Sequence, residues 1–160
     1  MNIDDFKPAI VYTIYIASTP EKVWQALTTA ESEKYFFGNA VEVDLKVGGA
    51  YIVRTPDGAL HISGEVIECE PLRRLTVTFN VNWPELIEKL GPTLVTYEIE
   101  QVGDAVRLTM SEGHDRPLSD DILAGGRSGW PAILSSLKSM LESGTALAIP
   151  LSSLGIEGLS

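Results

Sequence analysis

The amino-acid sequence predicts an α+β fold, in which a curved antiparallel sheet of about seven strands wraps around one long C-terminal helix. Strand-like alternation of apolar and polar residues fills the middle of the chain, and short turns join the segments. Such hairpins imply antiparallel pairing. The last long segment carries an apolar stripe at helical spacing, which supplies the cover that one sheet face requires. A sheet curled around a helix has a concave interior, where we expect a pocket.

The N-terminal elements are a strand and two short helices. Residues 10–17 are β-branched or aromatic except for Ala17, which is typical of a strand. The tetrapeptide Ser-Thr-Pro-Glu at 18–21 offers a hydroxyl for the N-cap and proline for the first helical position, so it predicts a helix start. Apolar residues from Val23 to Leu27 give that helix one apolar face, and a second short helix is expected over residues 30–36.

The middle of the chain is predicted to be a series of hairpins. Residues 75–83 alternate apolar and polar side chains most clearly, as expected of a strand with one buried face. The longer connection at 82–90 is expected to form a helical turn over the cavity mouth. Glycine-containing turns separate several of the strands. The predicted strands cover 41–45, 51–55, 60–69, 75–83, 93–101 and 105–112.

The last long element begins near residues 119–121, but its helical stripe starts at Trp130. Because proline is well tolerated at the first helical position, Pro131 predicts that the helix proper begins at about Trp130, after a looser turn or a short helix. The pair Gly125-Gly126 is then a candidate hinge, and Gly144 a candidate stop.

Composition predicts one domain, residues 1–145, followed by a C-terminal tail, 146–160. The tail is expected either to drape over the surface or to pack on a second subunit in a homodimer. We base this expectation on its apolar residues Ile149, Leu151, Leu154 and Ile156.

Charge and cysteine content exclude several classes of partner. Twelve Lys and Arg against 22 Asp and Glu give a formal net charge of −10, which disfavours binding to nucleic acid. No apolar run is long enough for membrane insertion, and the N-terminus lacks the features of a secretory signal. The single cysteine, Cys69, fits a reducing environment, so we expect a cytoplasmic location.

Four segments, at 18–28, 47–51, 64–75 and 128–141, together resemble the START-like SRPBCC superfamily. The similarity is to its activator-of-heat-shock-ATPase-homologue (AHSA-like) branch. The resemblance implies the helix-grip fold of the birch-pollen-allergen type, with an internal cavity between sheet and helix. The sequence departs from the family pattern at 35–38, where a tryptophan-rich turn is replaced by Tyr-Phe-Phe-Gly.

Three functions are compatible with this sequence. The first is a noncatalytic binding module that holds a small, largely apolar molecule, such as a lipid, between the sheet and the C-terminal helix. The second is a cyclase- or hydrolase-type enzyme, and the third is a co-chaperone-like interaction domain of the kind that the resemblance implies. The candidate ligand-binding residues are Tyr51, Val53, His61, Phe79, Val81, Trp83, Tyr97, Met110, Trp130 and Leu134.

The sequence offers few residues for catalysis. It contains no phosphate-binding glycine loop and no nucleophile elbow, and its two histidines have no partner at metal-ligand spacing, so no cofactor and no metal are predicted. The candidates for an acid or base are His61, Tyr97 and Glu98. His114, with its neighbours Glu112, Asp115 and Arg116, forms either a polar cluster at the cavity mouth or a solvated loop.

Overall fold

A computed structural model of the protein describes residues 2–155. This part of the chain contains three α-helices, α1 (Pro20–Thr28), α2 (Pro84–Leu90) and α3 (Asp120–Ser143). Short 3-10 helices cover Ile3–Asp5, Ala30–Lys34 and Leu151–Leu154. Its eight strands are β1 (Lys7–Ile16), β2 (Ala40–Val43), β3 (Ala50–Arg54), β4 (Leu60–Glu70), β5 (Arg74–Thr78), β6 (Asn80–Val81), β7 (Thr93–Val102) and β8 (Ala105–His114).

The strands form one antiparallel sheet in the order β1-β8-β7-β5-β4-β3-β2, and the two-residue strand β6 pairs with β4 beside this path. The predicted α+β class is therefore confirmed, as are the antiparallel sheet and the long C-terminal helix. Every adjacent pair along the path is antiparallel, as the hairpins in the sequence required. Apolar side chains from the strands, α1 and α3 form one core.

The first helix begins where the sequence predicts. The side chain of Thr19 accepts a hydrogen bond from the backbone N–H of Lys22, and Pro20 occupies the first turn. The second predicted helix is a short 3-10 segment, Ala30–Lys34. The hydroxyl of Tyr35 donates to the carbonyl of Ala26 at 2.7 Å and ties the two elements together.

The predicted continuous strand at 75–83 is wrong in one respect, because the chain breaks at Phe79 into β5 and β6. Its partner strand β4 pairs with β5 through residues 66–70 and with β6 through residues 62–63. A Cβ on Gly64 would lie only 1.8 Å from the carbonyl oxygen of Thr78, so only glycine allows the two backbones to approach this closely. The break brings Val81 and Trp83 to one end of the sheet, just before α2 begins at Pro84.

The prediction that the last helix begins at about Trp130 is also wrong, because α3 is continuous from Asp120 to Ser143 and Pro131 lies inside it. Proline cannot donate the backbone hydrogen bond to the carbonyl four residues earlier, which here belongs to Arg127. The hydroxyl of Tyr12, on β1, donates to that carbonyl at 3.1 Å. The sheet thus supplies the donor that Pro131 lacks, and Gly125-Gly126 is part of the helix instead of a hinge.

Gly144 ends α3, and a hydrogen-bonded serine holds the start of the tail against the helix. Gly144 adopts the left-handed conformation and ends the helix, as predicted. The tail then turns back, and the hydroxyl of Ser136 bonds both the N–H and the carbonyl of Leu147, at 3.1 and 3.2 Å. Of the tail residues named above, Ile149, Leu151 and Leu154 are described, and Ile156 lies outside the described residues.

Among residues 2–155, no helix is both long and apolar enough to cross a membrane.

Candidate functional site

An open cavity of about 370 Å³ lies between the sheet, α2 and the N-terminal half of α3. Its volume falls within the range typical of small-molecule sites. Aromatic and aliphatic side chains form most of the wall, and α2 contributes Leu86 and Leu90 from one side. The tail reaches the same cavity at Gly155.

Five of the ten residues predicted to contact a ligand line this cavity. His61, Val81 and Trp83 are partly exposed near β6 and α2, whereas Phe79 and Trp130 are buried. The rings of Phe79 and Trp130 lie 5.7 Å apart, tilted by 46°. These two aromatic residues form a continuous apolar wall.

The other five predicted contacts are buried core residues that do not line the cavity. Two of them support the wall from behind, since Tyr51 contacts Phe79 at 6.1 Å and Tyr97 contacts Trp130 at 6.3 Å between ring centroids. Their role as direct ligand contacts stays a prediction. The five are Tyr51, Val53, Tyr97, Met110 and Leu134.

The three candidate catalytic residues are not brought together. His61 lines the cavity, Tyr97 lies in the core, and Glu98 is exposed on the outer face of the sheet. There the carboxylate of Glu98 accepts a hydrogen bond from Arg74 at 2.9 Å. Alternation along β7 explains the separation, because consecutive residues of a strand point to opposite faces.

A buried polar cluster borders the cavity and contains a residue that the ligand prediction missed, Glu112. Its Oε1 accepts a hydrogen bond from the indole N–H of Trp130 at 3.0 Å. Its Oε2 lies 2.9 Å from Nε2 of His114, whose other ring nitrogen is 3.4 Å from the hydroxyl of Thr93. Glu112 is 9% exposed and His114 is 1% exposed, so the solvated-loop alternative is wrong for both. We call Glu112, His114 and Trp130 the carboxylate cluster.

The sequence did contain a signal for this cluster. Met110, Glu112 and His114 follow one another at every second position of β8, and all three are buried. Period-two alternation therefore places the acid and the imidazole on the inner face, together with an apolar residue. Asp115 and Arg116 come after the strand, and they form an exposed ion pair at 2.7 Å.

Glycine residues give one wall of the cavity its space. Gly125, Gly126 and Gly129 of α3 all line it. A Cβ on Gly125 would meet no atom within 4 Å, whereas one on Gly126 would lie 2.7 Å from Cδ1 of Ile10. Gly125 thus leaves open volume, and Gly126 lets α3 approach the sheet closely.

Burial shifts the pKa values of His61 and Tyr97, which lie in the cavity wall and behind it. Burial lowers the pKa of His61, so the ring favours its neutral form. Burial is also the main cause of the raised pKa of Tyr97, and the nearby Tyr51, Tyr35 and Glu112 raise it further. Tyr97 therefore stays a neutral phenol.

In the described part of the chain, residues 2–155, no cluster of three or more His, Cys, Asp or Glu residues is arranged to hold a metal ion.

A comparison with protein-family models assigns the chain to a family. A family model described as activator of Hsp90 ATPase homolog 1-like protein matches residues 17–142, which is most of the sequence. The chain belongs to this family. The matched range runs from the end of β1 to the end of α3, so this AHSA1-like region includes the cavity and the carboxylate cluster. The resemblance to the AHSA-like branch is thereby confirmed.

Solved structures share the AHSA1-like fold. The Aha1 dimer from Colwellia psychrerythraea is 25% identical, with a TM-score of 0.66 over 84% of this chain and 96% of that one. Protein MLL2253 from Mesorhizobium loti is 24% identical, with a TM-score of 0.66 over 82% and 96% of the two chains. PFC0360w from Plasmodium falciparum, described as an HSP90 activator, is 22% identical, with a TM-score of 0.59 over 78% and 88%. A comparison with curated proteins gave no match.

Proposed function

We propose that this AHSA1-like protein is a noncatalytic binding protein that holds a small, largely apolar molecule in the cavity between the sheet and α3. The observation that carries the proposal is the open cavity of about 370 Å³ with aromatic walls and few polar groups. Removing apolar surface from water would supply the affinity, and the polar groups would orient the bound molecule.

The placement of the ionisable residues supports binding without catalysis. A catalytic site requires an acid or base that faces the bound molecule together with a partner that orients it. His61 lines the cavity, but Glu98 lies on the opposite face of the sheet and Tyr97 lies behind Trp130. The three candidates therefore do not form such a pair.

The cavity can be closed by one substitution, which gives a direct test. Gly125→Leu places a side chain where a Cβ meets open space, and leucine has a higher helix propensity than glycine. The matched control is Ser135→Leu, on an exposed position of the same helix that does not line the cavity. The probe is 1-octanol, a neutral apolar molecule, and its binding is measured by isothermal titration calorimetry.

We expect wild type and Ser135→Leu to bind 1-octanol equally and Gly125→Leu to bind it at least about tenfold more weakly. Equal binding by Gly125→Leu would show that the molecule occupies another site. Absence of binding by the wild-type protein would remove the proposal.

The second candidate function is interaction with a chaperone ATPase of the Hsp90 class. The family match over residues 17–142 and the likeness to the Aha1 dimer favour it. The test is the rate of ATP hydrolysis by a purified Hsp90-class protein, with and without this chain. A rate that does not change would exclude this function. We also propose a cytoplasmic location, which the single cysteine, Cys69, supports.

A further inference from the structure

We propose that the cavity prefers apolar molecules with an amine at one end and disfavours the corresponding carboxylic acids, because the buried carboxylate of Glu112 lines it. This inference rests on the proposed binding function and adds the chemical class of the ligand. It concerns the head group alone and leaves the shape of the apolar part open.

The hydrogen bonds of Glu112 leave each of its two oxygens able to accept one more donor. Each carboxylate oxygen has two lone-pair positions, and Trp130 and His114 each occupy one of them. These two partners also fix the orientation of the side chain. One acceptor position therefore remains on each oxygen, in a group that borders the cavity.

The neighbouring glycine keeps this carboxylate uncovered. A Cβ on Gly126 would lie 3.5 and 3.6 Å from the two oxygens of Glu112, and Gly126 itself lines the cavity. Any larger residue at this position of α3 would contact the carboxylate and cover it. Glycine at this position therefore leaves the carboxylate without a covering side chain from α3.

The charges around the cavity favour a cation over an anion. The titratable side chains of the lining are Glu112, Asp121, Lys89 and His61. Asp121 and Lys89 are exposed at the rim, where solvent screens them, and burial disfavours the charged form of His61. The deep charged group of the lining is thus the carboxylate of Glu112, and its hydrogen-bond partner His114 is not among the lining residues. A ligand ammonium would donate a charge-assisted hydrogen bond to it, whereas a ligand carboxylate would meet a like charge in a site of low dielectric.

The test compares three molecules that differ only in their head groups: octylamine, 1-octanol and octanoate. Their binding to the wild-type protein is measured by isothermal titration calorimetry near neutral pH, at constant ionic strength. We expect octylamine to bind at least about tenfold more tightly than octanoate, with 1-octanol between them. Equal affinities, or tighter binding of octanoate, would overturn the inference.

Two substitutions separate Glu112 from general charge attraction. Glu112→Gln keeps the size and a carbonyl acceptor for Trp130, and it should reduce the preference for the amine to about threefold or less. Glu88→Gln removes an equal charge from an exposed position of α2 that does not line the cavity, and it should keep the wild-type preference. Binding of 1-octanol by both variants shows that their cavities are intact. A preference that falls in Glu88→Gln instead of Glu112→Gln would contradict the inference.

The outcomes also distinguish this inference from the proposed function. If 1-octanol binds in the cavity but the head groups make no difference, the binding function stands and the role of Glu112 is wrong. If octylamine binds Gly125→Leu as tightly as wild type, the amine is held by the acidic surface, and the inference is wrong. If none of the three binds, both proposals are wrong.

Discussion

The hydroxyl of Tyr12 helps to explain why α3 continues through Pro131. It donates to the carbonyl of Arg127, the acceptor that Pro131 leaves without its helical partner. The contact replaces the missing helical hydrogen bond, so it favours a continuous helix over one that starts at the proline. Proline at this position is therefore compatible with α3 because of Tyr12, which lies 115 positions before Arg127 in the sequence.

His61 predicts a pH dependence of stability. Burial lowers its pKa in the folded protein, so the unfolded chain takes up a proton first as the pH falls. The contribution of His61 is fully present above the unfolded pKa of about 6.5 and is lost as the pH falls through the folded pKa. Between about pH 7.5 and pH 5, wild type should lose more free energy of unfolding than His61→Gln in urea melts.

An NMR titration of the His61 ring provides the independent check. Its midpoint should lie below the ordinary value of about 6.5. A midpoint at or above that value, or identical pH dependence in the two proteins, would contradict the assignment. The comparison with His61→Gln cancels the contributions of the groups that the two proteins share.

At the level of elements, the two adjacent glycines of α3 have different reasons to be glycine. Gly125→Ala should raise the free energy of unfolding by about 0.5–1 kcal/mol, because alanine favours a helix and its Cβ meets open space. Gly126→Ala gains the same propensity, but its Cβ must displace Cδ1 of the buried Ile10. It should therefore be less stable than Gly125→Ala by at least about 0.5 kcal/mol in urea melts. Equal stabilities would mean that α3 moves away from β1 without cost.

Most elements of the fold could be predicted because their signals are local. The Thr19-Pro20 helix start and the period-two strands depend on neighbouring residues alone. The break at Phe79 and the continuity of α3 could not, since they depend on contacts with Gly64 and Tyr12 from distant strands. A local sequence pattern does not show which distant group donates a missing hydrogen bond, or which residue allows two backbones to approach closely.

The candidate site was predicted only in part, for a similar reason. Alternation identifies which residues point inward, so His61, Phe79 and Trp130 were found. It does not tell a cavity wall from the core behind it, which is why Tyr97 and Met110 were included. The pairing of Glu112 with Trp130 joins β8 to α3 and required the tertiary structure.

At the level of the whole molecule, we expect the residues after 145 to add little to the stability of the predicted domain, residues 1–145. Among residues 145–155 none is fully buried, and Gly144 ends the helix before them. Removal of residues 146–160 should therefore leave a folded protein that loses less than about 2 kcal/mol in urea melts, since the main loss is the bonding of Ser136 to Leu147. An unfolded product would contradict the predicted domain boundary at residue 145.

The same truncation addresses the predicted homodimer. The described part of the tail packs on α3 of its own chain, through Ser136, and Leu147 stays 46% exposed. We expect the full chain and the truncated chain to have the same number of subunits in solution, as judged by light scattering against the mass of each chain. A dimer that dissociates on truncation would show that the tail is the contact between subunits.

The pairing of β1 with β8 has a consequence for biosynthesis. Within the described residues β1 lies at the sheet edge and pairs with β8 alone, so that Lys7 meets His114. The ribosome therefore releases β1 roughly 100 residues before its partner, which at about 5–20 residues per second is an interval of about 5–20 s. During that interval an apolar strand with unpaired backbone groups is open to the contents of the cell. The nascent chain is thus most dependent on chaperones until β8 emerges, and α3 then completes the core.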